Sequence, residues 1–127
     1  SSPSAGTIMV HRVACAVDCG RAVNPGQIEA QMQGSVLHGM SAALWGKVTF
    51  TAGRSSVRNF DNYKMVKRGD APVVTVGISD SGALVDSGAI PMGGIGEPGV
   101  PPIAPAIANG YFRLTGVRLR NLPFFSA

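Results

Sequence analysis

Apolar and polar positions alternate at two different periods along this chain. Ile8 to Ala16 alternates loosely and is rich in β-branched residues, which predicts a strand ended by Asp18-Cys19-Gly20. Ser4-Ala5-Gly6-Thr7 before it reads as a hairpin turn whose first strand is missing from this chain. From Asn24 the period lengthens to that of a helix. Asn24 suits the cap, Pro25 the first helical position, and Gln27 completes a capping box. The predicted helix runs over about 25–45 and stops at Gly46. It contains Gly34 and Gly39, each costing about 1 kcal/mol against alanine. Two such glycines predict that something packs very close to the helix backbone. One face carries Gln27, Gln31, Gly34, Ser35 and His38 at spacings of three and four. Either solvent or a polar ligand or backbone can lie against that face.

Further on, Lys47 to Phe50 and Val57 to Asn59 flank Thr51-Ala52-Gly53-Arg54, which predicts a hairpin. Asn59 to Asp70 is polar and irregular, Val73 to Ile78 is a strand, and Ser79 to Met92 is a loop. A second helix is predicted over about 102–115, with Gly116 as its stop and Pro102 and Pro105 in its first turn. Val117 to Leu122 reads as a short closing strand. The pattern predicts an α+β fold, with a small mixed sheet of about four to five strands packed on two main helices. No internal repeat or low-complexity segment divides the chain, so 1–127 reads as a single segment.

Composition changes this picture in one respect. With 45% hydrophobic and 14% charged residues, the chain is well below the roughly 25% charge of an ordinary soluble domain. Much of its surface is therefore expected to be covered by something else. The net charge is +4, but the basic residues are scattered rather than striped. That argues against a nucleic-acid surface. No run reaches the roughly 20 apolar residues of a membrane span, and no signal peptide stands out. The beginning of the chain reads as the middle of a loop. Cys15 and Cys19, spaced C-x3-C, have no partners at ligand-type spacing, so both read as small buried hydrophobes and no metal ligand is assigned.

The strongest candidate for chemistry is Gly93-Gly94-Ile95-Gly96-Glu97-Pro98-Gly99-Val100-Pro101-Pro102. Glycines let this backbone bend and approach a ligand, prolines stiffen the approach to the second helix, and one carboxylate stands in the middle. Glu97 is thus the candidate catalytic residue. A turn with a solvated Glu is the competing reading. A phosphate-binding loop is disfavoured, because Glu97 would repel phosphate and no Lys or Ser/Thr comes after it as in a P-loop.

Several segments taken in order resemble one family. They are Ala16-Val17-Asp18-Cys19-Gly20, Val23-Asn24-Pro25, Gln27-Ile28-Glu29-Ala30-Gln31-Met32-Gln33-Gly34, Asn59-Phe60 with Tyr63, and Gly93 to Pro102 with Ala104 to Asn109 after it. From about Thr7 to Phe124 the chain resembles the C-terminal end of the molybdenum-binding subunit of the xanthine dehydrogenase/aldehyde oxidase family. It is most like the isoquinoline 1-oxidoreductase β-subunit branch. The resemblance implies a molybdenum-dependent oxidoreductase that hydroxylates an N-heterocycle or aldehyde carbon with oxygen from water. Glu97 falls on the position of the catalytic base, with orientation of a substrate nitrogen as its alternative role. Gln31, Gly34 and Gly96 fall on the cofactor side. The implied cofactor is molybdopterin cytosine dinucleotide with molybdenum. The implied partners are the remainder of the molybdenum subunit and an iron–sulfur subunit carrying [2Fe–2S] clusters, which two cysteines cannot hold. Departures are a longer Ser79 to Met92 segment, His38 in place of an apolar residue, and Gln33 in place of Glu. By this reading the chain is inactive alone. The alternative is a non-catalytic scaffold that self-associates through the exposed edge of its first strand.

Overall fold

The computed structural model describes residues 8–79 and 93–125. The predicted turn Ser4 to Thr7 and nearly all of the predicted loop Ser79 to Met92 lie outside them. The elements, in order, are β1 (Arg12–Asp18), α1 (Pro25–Trp45), β2 (Phe50–Thr51), β3 (Arg54–Ser55), β4 (Val73–Ser79) and α2 (Ile103–Thr115), with a 3-10 turn at Arg68–Asp70 before β4.

The α+β class holds, but the sheet differs from the one expected. Among the described residues there are four strands in two separate pairs, β1 parallel to β4 and β2 antiparallel to β3. In the parallel pair Val13 faces Val74, Cys15 faces Val76, and Val17 faces Ile78. These are the half-buried positions of an alternating pattern on both strands. Period 2 thus sets the register: a slip of one residue would turn the slipped strand's three half-buried side chains toward solvent. β1 begins at Arg12 rather than Ile8 and continues to Asp18, where Gly20 N–H donates to Asp18 Oδ1 at 3.0 Å and starts the turn. The hairpin is shorter than expected, because Ala52 (φ 49°) and Gly53 (φ 75°) make a tight two-residue turn.

α1 occupies the predicted residues. Asn24 Oδ1 accepts from Gln27 N–H at 3.1 Å, and Pro25 stands in the first turn. α2 ends at Gly116, whose φ of 73° is the left-handed conformation that favours glycine. The two helices and the β1–β4 pair share a core of Val36, Met40, Ala43, Leu44, Ile103, Ile107 and Phe124, with Val13, Cys15 and Val74 packed against it.

The expected closing strand over Val117 to Leu122 does not form. The segment instead leads through a cis Leu122–Pro123 bond to the C-terminal end of α1. There Phe124 N–H donates to Ala43 O at 2.8 Å and Phe125 N–H to Leu44 O at 3.1 Å. Gly46 N–H already takes Ala42 O. Free carbonyls at the helix end thus take the backbone donors just beyond the expected strand, and Phe124 is buried there.

Candidate cofactor-binding site

The Glu97 loop is held at both ends and open in the middle. At its start, Gly93 N–H donates to Cys19 O at 2.8 Å, and a Cβ at Gly93 would stand 3.1 Å from that same oxygen. Next, Glu97-Pro98-Gly99-Val100 forms a turn closed by Val100 N–H on Glu97 O at 3.1 Å. Pro98 stands second in that turn, where its fixed φ is suited. Gly99 is buried against α1. A Cβ there would lie 2.6 Å from Ser35 Cβ, 2.9 Å from Ser35 Oγ and 3.1 Å from Met32 Sδ. One turn further along α1, a Cβ at Gly39 would meet Ile103 Cβ at 2.9 Å and Val100 O at 3.0 Å. Two glycines, one on each partner, therefore bring the loop and the start of α2 down onto the Met32–Ser35–Gly39 ridge of α1.

Each predicted site residue can now be placed. Gln31 and Gly34 flank that ridge on α1 and are exposed, whereas Ser35 is buried under Gly99. The polar face read from the sequence is thus split, with Ser35 serving the loop contact and Gln27, Gln31, Gly34 and His38 exposed. Gly34, Gly94 and Gly96 each have nothing within 4 Å of a Cβ position. Bare backbone faces open space at three points around the loop and the helix. Glu97 is exposed, and only its backbone carbonyl is engaged among the described residues. Gln33 Nε2 is taken up by Glu29 Oε1 at 3.1 Å along the helix.

Sequence reasoning missed the two contacts that position the site. Gly99 and Ser35 each belong to a local pattern in the sequence, and nothing in either pattern marks them as touching. Cys19 was expected only as a buried side chain, which it is, but its carbonyl also anchors Gly93. Cys15 is half-buried, and burial pushes its thiol above the ordinary value. Among the described residues no group of three or more His, Cys, Asp or Glu side chains is placed to hold a metal. What the site offers is amide donors, exposed glycine backbone and one carboxylate, and these fit a large polar organic cofactor better than a bare ion. A larger apolar groove lies elsewhere among the described residues. It has about 700 Å³ between residues 8–14 and one side of α2, and is lined largely by apolar side chains.

Known proteins share this sequence and fold. The chain is 36% identical over 120 residues to isoquinoline 1-oxidoreductase subunit beta of Brevundimonas diminuta, covering 94% of this chain and 14% of that protein. It is 32% identical over 120 residues to the membrane-bound aldehyde dehydrogenase [pyrroloquinoline-quinone] of Gluconacetobacter polyoxogenes, covering 94% of this chain and 15% of the relative. The chain thus spans only about one seventh of the length of these relatives. The crystal structure of the Cu,Mo-CO dehydrogenase superposes with a TM-score of 0.67 at 20% identity, over 86% of this chain and 14% of that one, which shows a shared fold. Residues 2–72 match the family described as molybdopterin cofactor-binding domain. The chain belongs to that family, within the molybdenum-binding subunits of the xanthine dehydrogenase/aldehyde oxidase group.

Proposed function

We propose that this chain is the C-terminal part of a molybdopterin-binding domain and supplies the base of a molybdenum hydroxylase. The observation that carries this is the seating of the Glu97 loop on α1, one helical turn from Gln31, through Gly99 against Ser35 and Met32. A carboxylate on a loop fixed at Cys19 and at Ser35 is tied to the helix that carries Gln31 and the bare backbone of Gly34. Gln31 would donate a hydrogen bond to the cofactor, and Gly34 and Gly96 would let it approach the backbone where a side chain would intrude. In this reading the cofactor is molybdopterin cytosine dinucleotide, and when bound it supplies the two-electron acceptor.

Glu97 then takes up the proton released as water is activated for attack on the substrate carbon. It acts through a carboxylate oxygen, so only its ionised form serves. Substrates are expected among aldehydes and electron-poor N-heterocycles, the classes that the names of the isoquinoline and aldehyde relatives point to. Electrons leave through [2Fe–2S] clusters on a partner chain. The rest of the molybdenum subunit closes the site over the exposed Glu97.

Glu97→Gln in the assembled enzyme is expected to lower kcat by about 10²–10⁴-fold, the usual contribution of a general base, with molybdenum content unchanged. Turnover within threefold of the parent enzyme would remove Glu97 from the base role. Metal and quinone analysis of the same sample separates a molybdenum centre from the quinone in the name of the Gluconacetobacter relative.

A second reading is a self-associating scaffold. It is favoured by β1, which pairs on one edge only among the described residues, and by the apolar groove beside it. It predicts a dimer of this chain with neither molybdenum nor a longer partner chain.

A further inference from the structure

We propose that the Gly99–Ser35 contact is the positioning device that sets Glu97 relative to Gln31. It rests on the reading of Glu97 as base and adds to it the residues that determine where the base stands. Glu97 lies between two fixed points. Upstream, the fixed point is Gly93, whose N–H donates to Cys19 O at 2.8 Å, and Gly94 and Gly96 between it and Glu97 have nothing within 4 Å of their Cβ positions. Downstream, the turn from Glu97 O to Val100 N is tight at 3.1 Å, and Gly99 inside that turn sits on Ser35. The hold nearest to Glu97 is therefore the downstream one, which includes Glu97 itself.

The contact tolerates no extra atom. A Cβ at Gly99 would be 2.6 Å from Ser35 Cβ and 2.9 Å from Ser35 Oγ, and real Cβ atoms do not approach so closely. Met32 Sδ, at 3.1 Å, is part of a flexible side chain and can give way. Ser35 cannot, because its Cβ is fixed to the backbone of a 21-residue helix. The φ of Gly99 is not in the left-handed region, so glycine is required here by space and not by backbone conformation. Any side chain at Gly99 lifts the turn, and with it Glu97, away from the helix that carries Gln31. A displacement of about 1 Å at a reacting group can cost about 10²-fold in rate.

The test is a compensating pair in the assembled enzyme. Gly99→Ala is expected to lower kcat by about 10²-fold at unchanged molybdenum content and with KM changed less than threefold. Ser35→Gly removes both the Cβ and the Oγ that the new methyl would strike. The double variant Gly99→Ala/Ser35→Gly is therefore expected to recover at least tenfold in kcat over Gly99→Ala. Amide exchange of the peptide containing Val100 should speed up in Gly99→Ala and slow again in the double variant, a readout independent of turnover. Gly99→Ala with kcat within threefold of the parent, or a double variant no faster than Gly99→Ala, overturns the proposal. If Gly99→Ala fails to assemble, Ser35→Thr enlarges the same contact from the helix side. An unchanged kcat in Ser35→Thr then overturns it. Glu97→Gln measured in parallel keeps the two readings apart. If Glu97→Gln abolishes turnover and Gly99→Ala does not, only the positioning role fails, whereas an active Glu97→Gln removes the base itself.

Discussion

Ser41 is an example of how single residues tie this chain together. Its Oγ donates to Leu37 O at 2.9 Å within α1 and accepts from Val66 N–H at 3.0 Å. One buried hydroxyl thus fixes the irregular stretch after the hairpin onto the helix. Ser41→Ala leaves the Val66 N–H without its acceptor, and an unsatisfied buried donor costs about 1–3 kcal/mol. Chemical denaturation is expected to show a loss of that size, with Ser41→Thr keeping most of the stability. A loss below about 0.5 kcal/mol would mean that solvent replaces the hydroxyl. The sequence offered no sign of this role, because a serine inside a helix reads as neutral until its distant partner is known. Glu97 and Gln31, the proposed site residues, stand out in the sequence for the opposite reason. Their signals are local: a carboxylate among glycines, and an amide at helical spacing from a glycine.

At the scale of elements, Gly34 and Gly39 inside α1 separate close packing from open space. Both read alike in the sequence, as weak points of a helix with close neighbours. In the structure only Gly39 has them, with Ile103 Cβ 2.9 Å from its Cβ position, while Gly34 has nothing within 4 Å. Gly39→Ala is expected to destabilise by about 1–3 kcal/mol, the usual cost of overpacking. Gly34→Ala is expected to stabilise the cofactor-free protein by up to about 1 kcal/mol through helix propensity. If Gly34 faces the cofactor as proposed, the same change lowers molybdenum occupancy of the purified enzyme. Thermal melts of cofactor-free protein and metal analysis of the loaded enzyme check both arms. Full occupancy in Gly34→Ala would remove that residue from the cofactor site. The helices themselves were predicted well, since caps, prolines and stop glycines act within a few residues. The expected closing strand did not form, and the chain just beyond it is tied to a distant element, the free carbonyls of Ala43 and Leu44.

At the scale of the whole molecule, several large apolar side chains among the described residues are exposed. Leu114 is 87% exposed, Phe60 88% and Met9 70%, and Leu114 and Met9 line the groove beside α2. The low charge content of the sequence already pointed to such surface, but not to its place. Architecture decides the place. Neighbouring strands lie about 4.8 Å apart, whereas packed helices lie about 8–10 Å apart. A two-stranded sheet is therefore too narrow to roof both α1 and α2, and here β4 lies on α1. If the chain works inside a larger molybdenum subunit, the rest of that subunit covers the groove, and Leu114 is buried there. Leu114→Asp would then lose the burial of a leucine, about 1.5–3 kcal/mol, and also bury a charge. The assembled enzyme should show a lower Tm and a lower yield of full-length subunit, while Arg120→Asp, an exposed residue outside the groove, changes little. Equal, small effects of the two substitutions would mean that the groove stays open to water in the assembly. A selective loss at Leu114 would show that this face is interior to the larger protein, as the shortage of charged residues requires.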